Sequence, residues 1–203
     1  PDEKTRIQYV ALARFFRAYF YFEKVKRFGD VPWYSTQLGS DSPELYKTQD
    51  SRELVMNNVI KDLDYAIENL PSTKSVYEVT KWTALALKSR VCLFEGTFRK
   101  YHKLNLEHSG EWFLEQCVEA SNEFIAESGY KLYSTEKPEQ DYFDLFTADT
   151  YQGHPSTCEV ILARNYNATY NVMHRLHALL LTSGESGTGM SRKTVATYLM
   201  RDG

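Results

Sequence analysis

IQYVALARFFRAYFYFEKVKRFGD, residues 7–30, is the stretch from which the rest of the chain is read. Its apolar residues recur at helical spacing and fill most of the circumference. Phe15, Tyr19 and Phe22 form one stripe, and Phe16 and Phe20 an adjacent one. A helix apolar nearly all round is normally buried between neighbours, so this spacing predicts a central helix from about Lys4 to Phe28 whose aromatics serve as core. Gly29 stops it and Pro32 keeps it from resuming.

Three further helices follow. One is predicted from Asp50, with that carboxylate as cap and Glu53 as its capping-box partner; Met56, Ile60, Leu63, Ile67 and Leu70 line it before Pro71. Another, about Thr80–Tyr101, carries Ala84, Leu87, Val91, Phe94 and Phe98. A fourth, Glu111–Ser128, carries Phe113, Cys117, Ala120 and Phe124 and ends at Gly129. Together they make two antiparallel pairs. A faint repeat supports this, because Ala11-Leu12-Ala13 with Arg17 returns as Ala84-Leu85-Ala86 with Arg90. The separation is about two helix–turn–helix units of ~34 residues.

Past Gly129 the pattern loosens. Pro138–Phe146 suits a short helix, Glu159–Tyr166 (EVILARNY) reads as a strand, and Ser191 caps a last helical stretch, RKTVATYLM. The expected organisation is a helical scaffold over 1–129 and an irregular, ligand-facing segment over 130–203.

Composition removes several function classes. The 203 residues are 42% hydrophobic and 25% charged with a formal charge of −3, which suits a folded domain and lacks the basic excess of a nucleic-acid binder. Aromatics reach 14%, mostly as 15 tyrosines and 11 phenylalanines. Cys92, Cys117 and Cys158 lack metal-ligand spacing and read as buried free thiols.

SGESGTGMS, residues 183–191, resembles a phosphate-cradling loop with Met190 in the lysine position. Without that cation, and without alternating strands and helices, a nucleotide site is not expected. His174 and His177 lack a third ligand, so no metal is expected either. Asp62 and Asp64 read as a solvated pair. No nucleophile–base–acid set appears, so the chain is read as non-catalytic and free of cofactors.

FRAYFYFEKVKRFGDVPWYST (16–36) resembles the SusD/RagB family of Bacteroidetes outer-membrane lipoproteins. So do SRELVMNNVIKDLDYAIENLP (51–71), VTKWTALALKSRVCLFEG (79–96), EVILARNYN (159–167) and TVATYLMRDG (194–203), in the same order. The resemblance implies a mainly α fold with tetratricopeptide-like helix pairs and little strand. It also implies capture of a glycan or other nutrient at the cell surface for a TonB-dependent, SusC-like transporter. The family's lipidated N-terminal cysteine is not in this chain, so an internal fragment is expected, attached to the membrane only through a lipid outside it.

Sugar recognition needs flat apolar faces with planar amides or guanidinium groups. Trp33 and Tyr34, just past Pro32, fit this need, or else they pack on the end of the first helix. Tyr166, Asn167, Tyr170 and Arg175, within RNYNATYNVMHR (164–175), are the other candidates. Trp82 and Trp112 read as packing. A generic helical-repeat scaffold for protein partners is the alternative.

Overall fold

The computed structural model describes residues 2–148, 150–174, 176 and 189–198. The α-helices among them include α1 (Glu3–Phe28), α2 (Arg52–Asn69), α3 (Lys81–Tyr101), α4 (Gly110–Glu127), α5 (Pro138–Thr147) and α6 (Arg192–Val195). The chain forms two compact units, residues 1–163 and 164–203. Within the first, α1 packs on α2, α3 on α4, and α2 on α3. The expected mainly α fold of helix pairs is present.

Each main helix begins where a short polar side chain can take an orphan backbone N–H. Asp2 accepts from Thr5 N at 2.7 Å, Ser109 from Trp112 N at 3.1 Å, and Ser191 from Thr194 N at 3.1 Å. Thr80 and Thr83 cap α3 reciprocally. Helix α2 corrects the sequence expectation. Its cap is Ser51, which accepts from Leu54 N at 3.3 Å. Asp50 instead accepts from Trp33 N at 2.7 Å and Lys47 Nζ at 2.6 Å, while its own N–H bonds Val31 O at 3.3 Å. The carboxylate ties the 31–50 connection closed because a cation and a backbone donor there offer more than one helix-end N–H.

The main core joins Ala11, Phe15, Ala18, Phe22 and Val25 of α1 to Val55, Val59, Leu63 and Ala66 of α2 and to Ala84 and Val91 of α3. Only one side of α1 is covered, which corrects the expectation of a helix buried all round. Tyr9, Phe16, Tyr19, Phe20 and Phe28 are exposed. Helix α1 lies mainly against α2 and only lightly against α3, so that stripe is only partly covered, with Phe16 and Tyr19 bordering a groove beside Leu87, Arg90, Ile161 and Leu162. Asp62 is a second correction. It is buried and takes a bidentate pair from Arg17, at 2.6 and 2.8 Å, locking α1 to α2. Asp64 holds Lys88 of α3 at 2.8 Å.

The deepest polar feature is a four-charge cluster. Glu95 is 0% exposed and accepts from Arg52 Nη2 at 2.6 Å and Arg99 Nε at 2.8 Å. Arg99, also buried, donates to Glu53 Oε2 at 2.7 Å and His108 O at 2.6 Å. Glu53 therefore serves this cluster rather than a capping box. Two guanidinium groups and two carboxylates cancel in charge and join α2, α3 and the loop leading into α4. Arg99 Nη2 and Glu53 Oε1 have no hydrogen-bond partner in the protein, so the cluster is better read as a brace than as a stability surplus.

At the α3–α4 crossing a Cβ on Gly96 would sit 2.8 Å from Gly110 O, and only glycine permits that approach. Cys92 lies beside it in the core, its thiol pKa pushed by burial up to about 12, and is inert.

Residues 159–166 form no strand. Among the described residues the only bridges are isolated, Val31 with Asp50 and Asn167 with Val172. Ala163 N bonds Val76 O at 2.7 Å, a single tie to a loop rather than a ladder. Strand-forming side chains without a neighbouring edge leave an extended segment.

Two predictions follow from these contacts. Glu95→Ala strands two buried guanidinium groups and should cost about 3–5 kcal/mol in urea unfolding; a loss below about 1 kcal/mol would show that the cluster braces nothing. The Asp50 carboxyl pKa is held below its ordinary value, first by the Lys47 ammonium and then by Trp33 N–H. A depressed folded-state pKa stabilises fully above the unfolded value of about 4, and that contribution is lost as pH falls through the folded value. Asp50→Asn should thus destabilise more at about pH 7 than at about pH 3, read from paired unfolding curves; an equal effect at both would contradict it.

Candidate functional site

Three places among the described residues bring aromatic and polar groups together, and each is described within its own unit. The first holds Trp33 and Tyr34. The Trp33 ring is 9% exposed, 4.2 Å from the Tyr21 ring centroid and 4.9 Å from the Arg17 guanidinium. Tyr21 Oη donates to Pro32 O at 3.2 Å and accepts from Tyr34 N at 2.9 Å. Burial raises the Tyr21 pKa, which keeps the phenol in the protonated form this double role requires. Trp33 therefore packs beside Arg17 and Tyr21 of α1. Tyr34 is half-buried, donates to Glu44 O at 2.9 Å, and has the Lys47 ammonium 4.9 Å from its ring centre.

The second place lies in residues 164–203. Asn167 and Val172 exchange backbone hydrogen bonds at 2.8 and 3.0 Å, closing a tight turn with Asn171 at φ 55°. The Asn167 side-chain oxygen accepts from Thr169 N at 2.9 Å, so it shapes the turn from inside. Tyr170, 78% exposed, stands at the tip. Tyr166 is flanked by His174 at 4.8 Å and Arg164 at 5.2 Å. Arg175 and His177 lie outside the described residues, as do positions 183–188 of the glycine loop. The Ser191 hydroxyl, which a phosphate loop would reserve for magnesium, is taken by the cap of α6.

The third place was not anticipated from the sequence. A cavity of about 490 Å³ opens between the α2–α3 loop, the residues after α4, and the segment after α5. Tyr77, Tyr130 and Tyr151 line it, with Lys74, Glu78 and Gln152. Tyr77 Oη lies 3.0 Å from Thr150 Oγ1 and accepts from Tyr151 N at 3.0 Å. The bond to the Thr150 hydroxyl is the chief reason the Tyr77 pKa is lowered. Tyr151 Oη donates to Leu145 O at 2.8 Å. Tyr130 stacks on Phe124 at 5.5 Å, and its phenol pKa is raised by burial. Lys74 Nζ sits 4.3 Å from the Tyr130 ring centre and donates to Gly129 O at 2.6 Å. Gly129 has φ 64°, the left-handed conformation that ends α4. The three tyrosines are far apart in sequence, and the tyrosine-rich composition was the only forewarning.

Among the described residues no group of three or more His, Cys, Asp or Glu could hold a metal ion, and no helix is long and apolar enough to cross a membrane.

Residues 2–93 match a SusD-like family model described as starch-binding and associating with the outer membrane. Over 103 residues the chain is 33% identical to a SusD-like protein of Formosa agariphila, covering 49% of this chain and 20% of that protein. A second SusD-like protein of the same organism is 30% identical over 87 residues, 43% of this chain and 17% of its own length. The chain thus spans about a fifth of these curated relatives.

Solved structures agree with the fold. A SusD-like protein of Bacteroides fragilis is 26% identical with a TM-score of 0.57, covering 72% of this chain and 26% of its own. A laminarin-binding SusD-like protein is 23% identical with a TM-score of 0.57, covering 74% of this chain and 30% of its own. A structure solved with a xylogluco-oligosaccharide is 24% identical with a TM-score of 0.59, covering 82% of this chain and 31% of its own. The last two speak to the fold alone. The family match over the first helices, the two Formosa relatives and the shared helix-pair architecture converge on a likeness to SusD-like proteins, which the family match carries over residues 2–93.

Proposed function

We propose that this chain is part of a non-catalytic receptor that captures a glycan at the outer-membrane surface and passes it to a TonB-dependent, SusC-like transporter. The observation that carries the reading is the match of residues 2–93 to a family described as starch-binding and associating with the outer membrane. The laminarin-binding and xylogluco-oligosaccharide-bound neighbours share the helix-pair fold, and their ligands guide the choice of probes.

In this reading the helices are an inert frame. Their buried charges are consumed in pairing, as in the Glu95 cluster and the Arg17–Asp62 pair, so none is poised for acid–base chemistry. Ligand contacts fall to the less regular segments. Tyr34, backed by Trp33, and the Tyr166–Asn167–Tyr170 turn with Arg175 supply aromatic faces and planar polar groups suited to sugar rings. A surface-exposed lipoprotein anchored outside this chain completes the proposal.

Isothermal titration of the intact protein against starch, laminarin and xylogluco-oligosaccharides checks the capture step. Saturable binding of at least one is expected, and no heat with any glycan would count against it. Co-purification from an outer-membrane extract should bring down a TonB-dependent transporter; recovery of only unrelated proteins would favour a plain protein-binding scaffold.

A further inference from the structure

The walls of the cavity bounded by Tyr77, Tyr130 and Tyr151 are fixed. Hydrogen bonds at 3.0 Å to Thr150 and from Tyr151 N pin the Tyr77 phenol, and the 2.8 Å bond to Leu145 O pins that of Tyr151. Tyr130 is held by its stack on Phe124. Rings fixed before a ligand arrives lose little freedom when it binds, which favours affinity. The volume of about 490 Å³ falls within the roughly 300–1,000 Å³ typical of small-molecule sites.

The polar lining suits hydroxyls rather than charges. Lys74 and Glu78 are the only charged residues of the wall and cancel, so an anionic ligand would find no net cation. An ammonium has three donors, and the Lys74 bond to Gly129 O uses one of them. Gln152 and Glu78 are exposed at the cavity and offer a planar amide and a planar acceptor. Phenol rings alternating with such groups match a pyranose, which presents C–H faces and a rim of hydroxyls.

We propose that this cavity is a binding site for an uncharged oligosaccharide, with Tyr77, Tyr130 and Tyr151 as ring contacts and Lys74, Glu78 and Gln152 as hydroxyl partners. The assignment rests on the glycan-binding reading above and places a subsite within residues 1–163, apart from the residues singled out in the sequence.

The test is titration of the intact protein with malto-, laminari- and xylogluco-oligosaccharides, repeated on two variants. Tyr130→Ala removes a wall; the Glu78→Ala, Gln152→Ala double variant removes two exposed polar groups and leaves the packing untouched. Thermal melting confirms that each variant is folded. The site is supported if the wild type binds a probe and the double variant, together with any folded Tyr130→Ala, binds it at least about tenfold more weakly. Binding by the wild type that the double variant retains within about twofold overturns the site but leaves glycan capture standing. No binding by the wild type overturns both.

Discussion

Glu95 is the point on which the helical frame turns. A carboxylate with no solvent exposure exists only if cations reach it, and those cations are Arg52 from α2 and Arg99 from its own helix. Arg99 then places its Nη1 donors on Glu53 and on the carbonyl of His108, just before the Ser109 cap of α4. One buried charge thereby sets where α2 meets α3 and where the chain turns toward α4. The glycine contact at Gly96 and Gly110 fixes the same crossing sterically. Hydrophobic burial supplies most of the favourable free energy, but it is non-directional, and paired charges that must meet are directional.

A frame fixed in this way leaves little chemistry to spare. Its acids and bases are neutralised inside, and its buried thiol is inert. What remains available are the segments that the helices hold in place, including the 74–78 loop, the residues after Gly129 and the stretch from 150 to 160. They carry fixed phenol rings and a balanced pair of charges, which suits a ligand recognised by shape and hydroxyl pattern. Capture without turnover is what the proposed receptor role asks of such an arrangement.

Much of this frame was legible in the sequence because local rules and tertiary packing agree there. The α1 stop at Gly29, the Thr80 cap and the periodic stripes of α2 and α3 are short-range signals. Reading failed where a residue answered to a distant partner. Asp50 looks like a cap but serves Lys47 and Trp33; Asp62 looks solvated but meets Arg17 across 45 residues. The exposed stripe of α1 was misread because periodicity says that a face is apolar, not that something covers it. The strand-like run at 159–166 lacked an edge to pair with. The tyrosine cavity was invisible for a simpler reason: Tyr77, Tyr130 and Tyr151 converge only after the helices are stacked.

Amide hydrogen exchange on the intact protein, with and without a saturating bound oligosaccharide, tests the division between inert frame and recognising loops most directly. The account predicts slower exchange at residues 74–78, 129–133 and 150–160 and no change in the helical segments around Glu95. Protection that appears in α2 and α3 instead, with those loops unaffected, would contradict it.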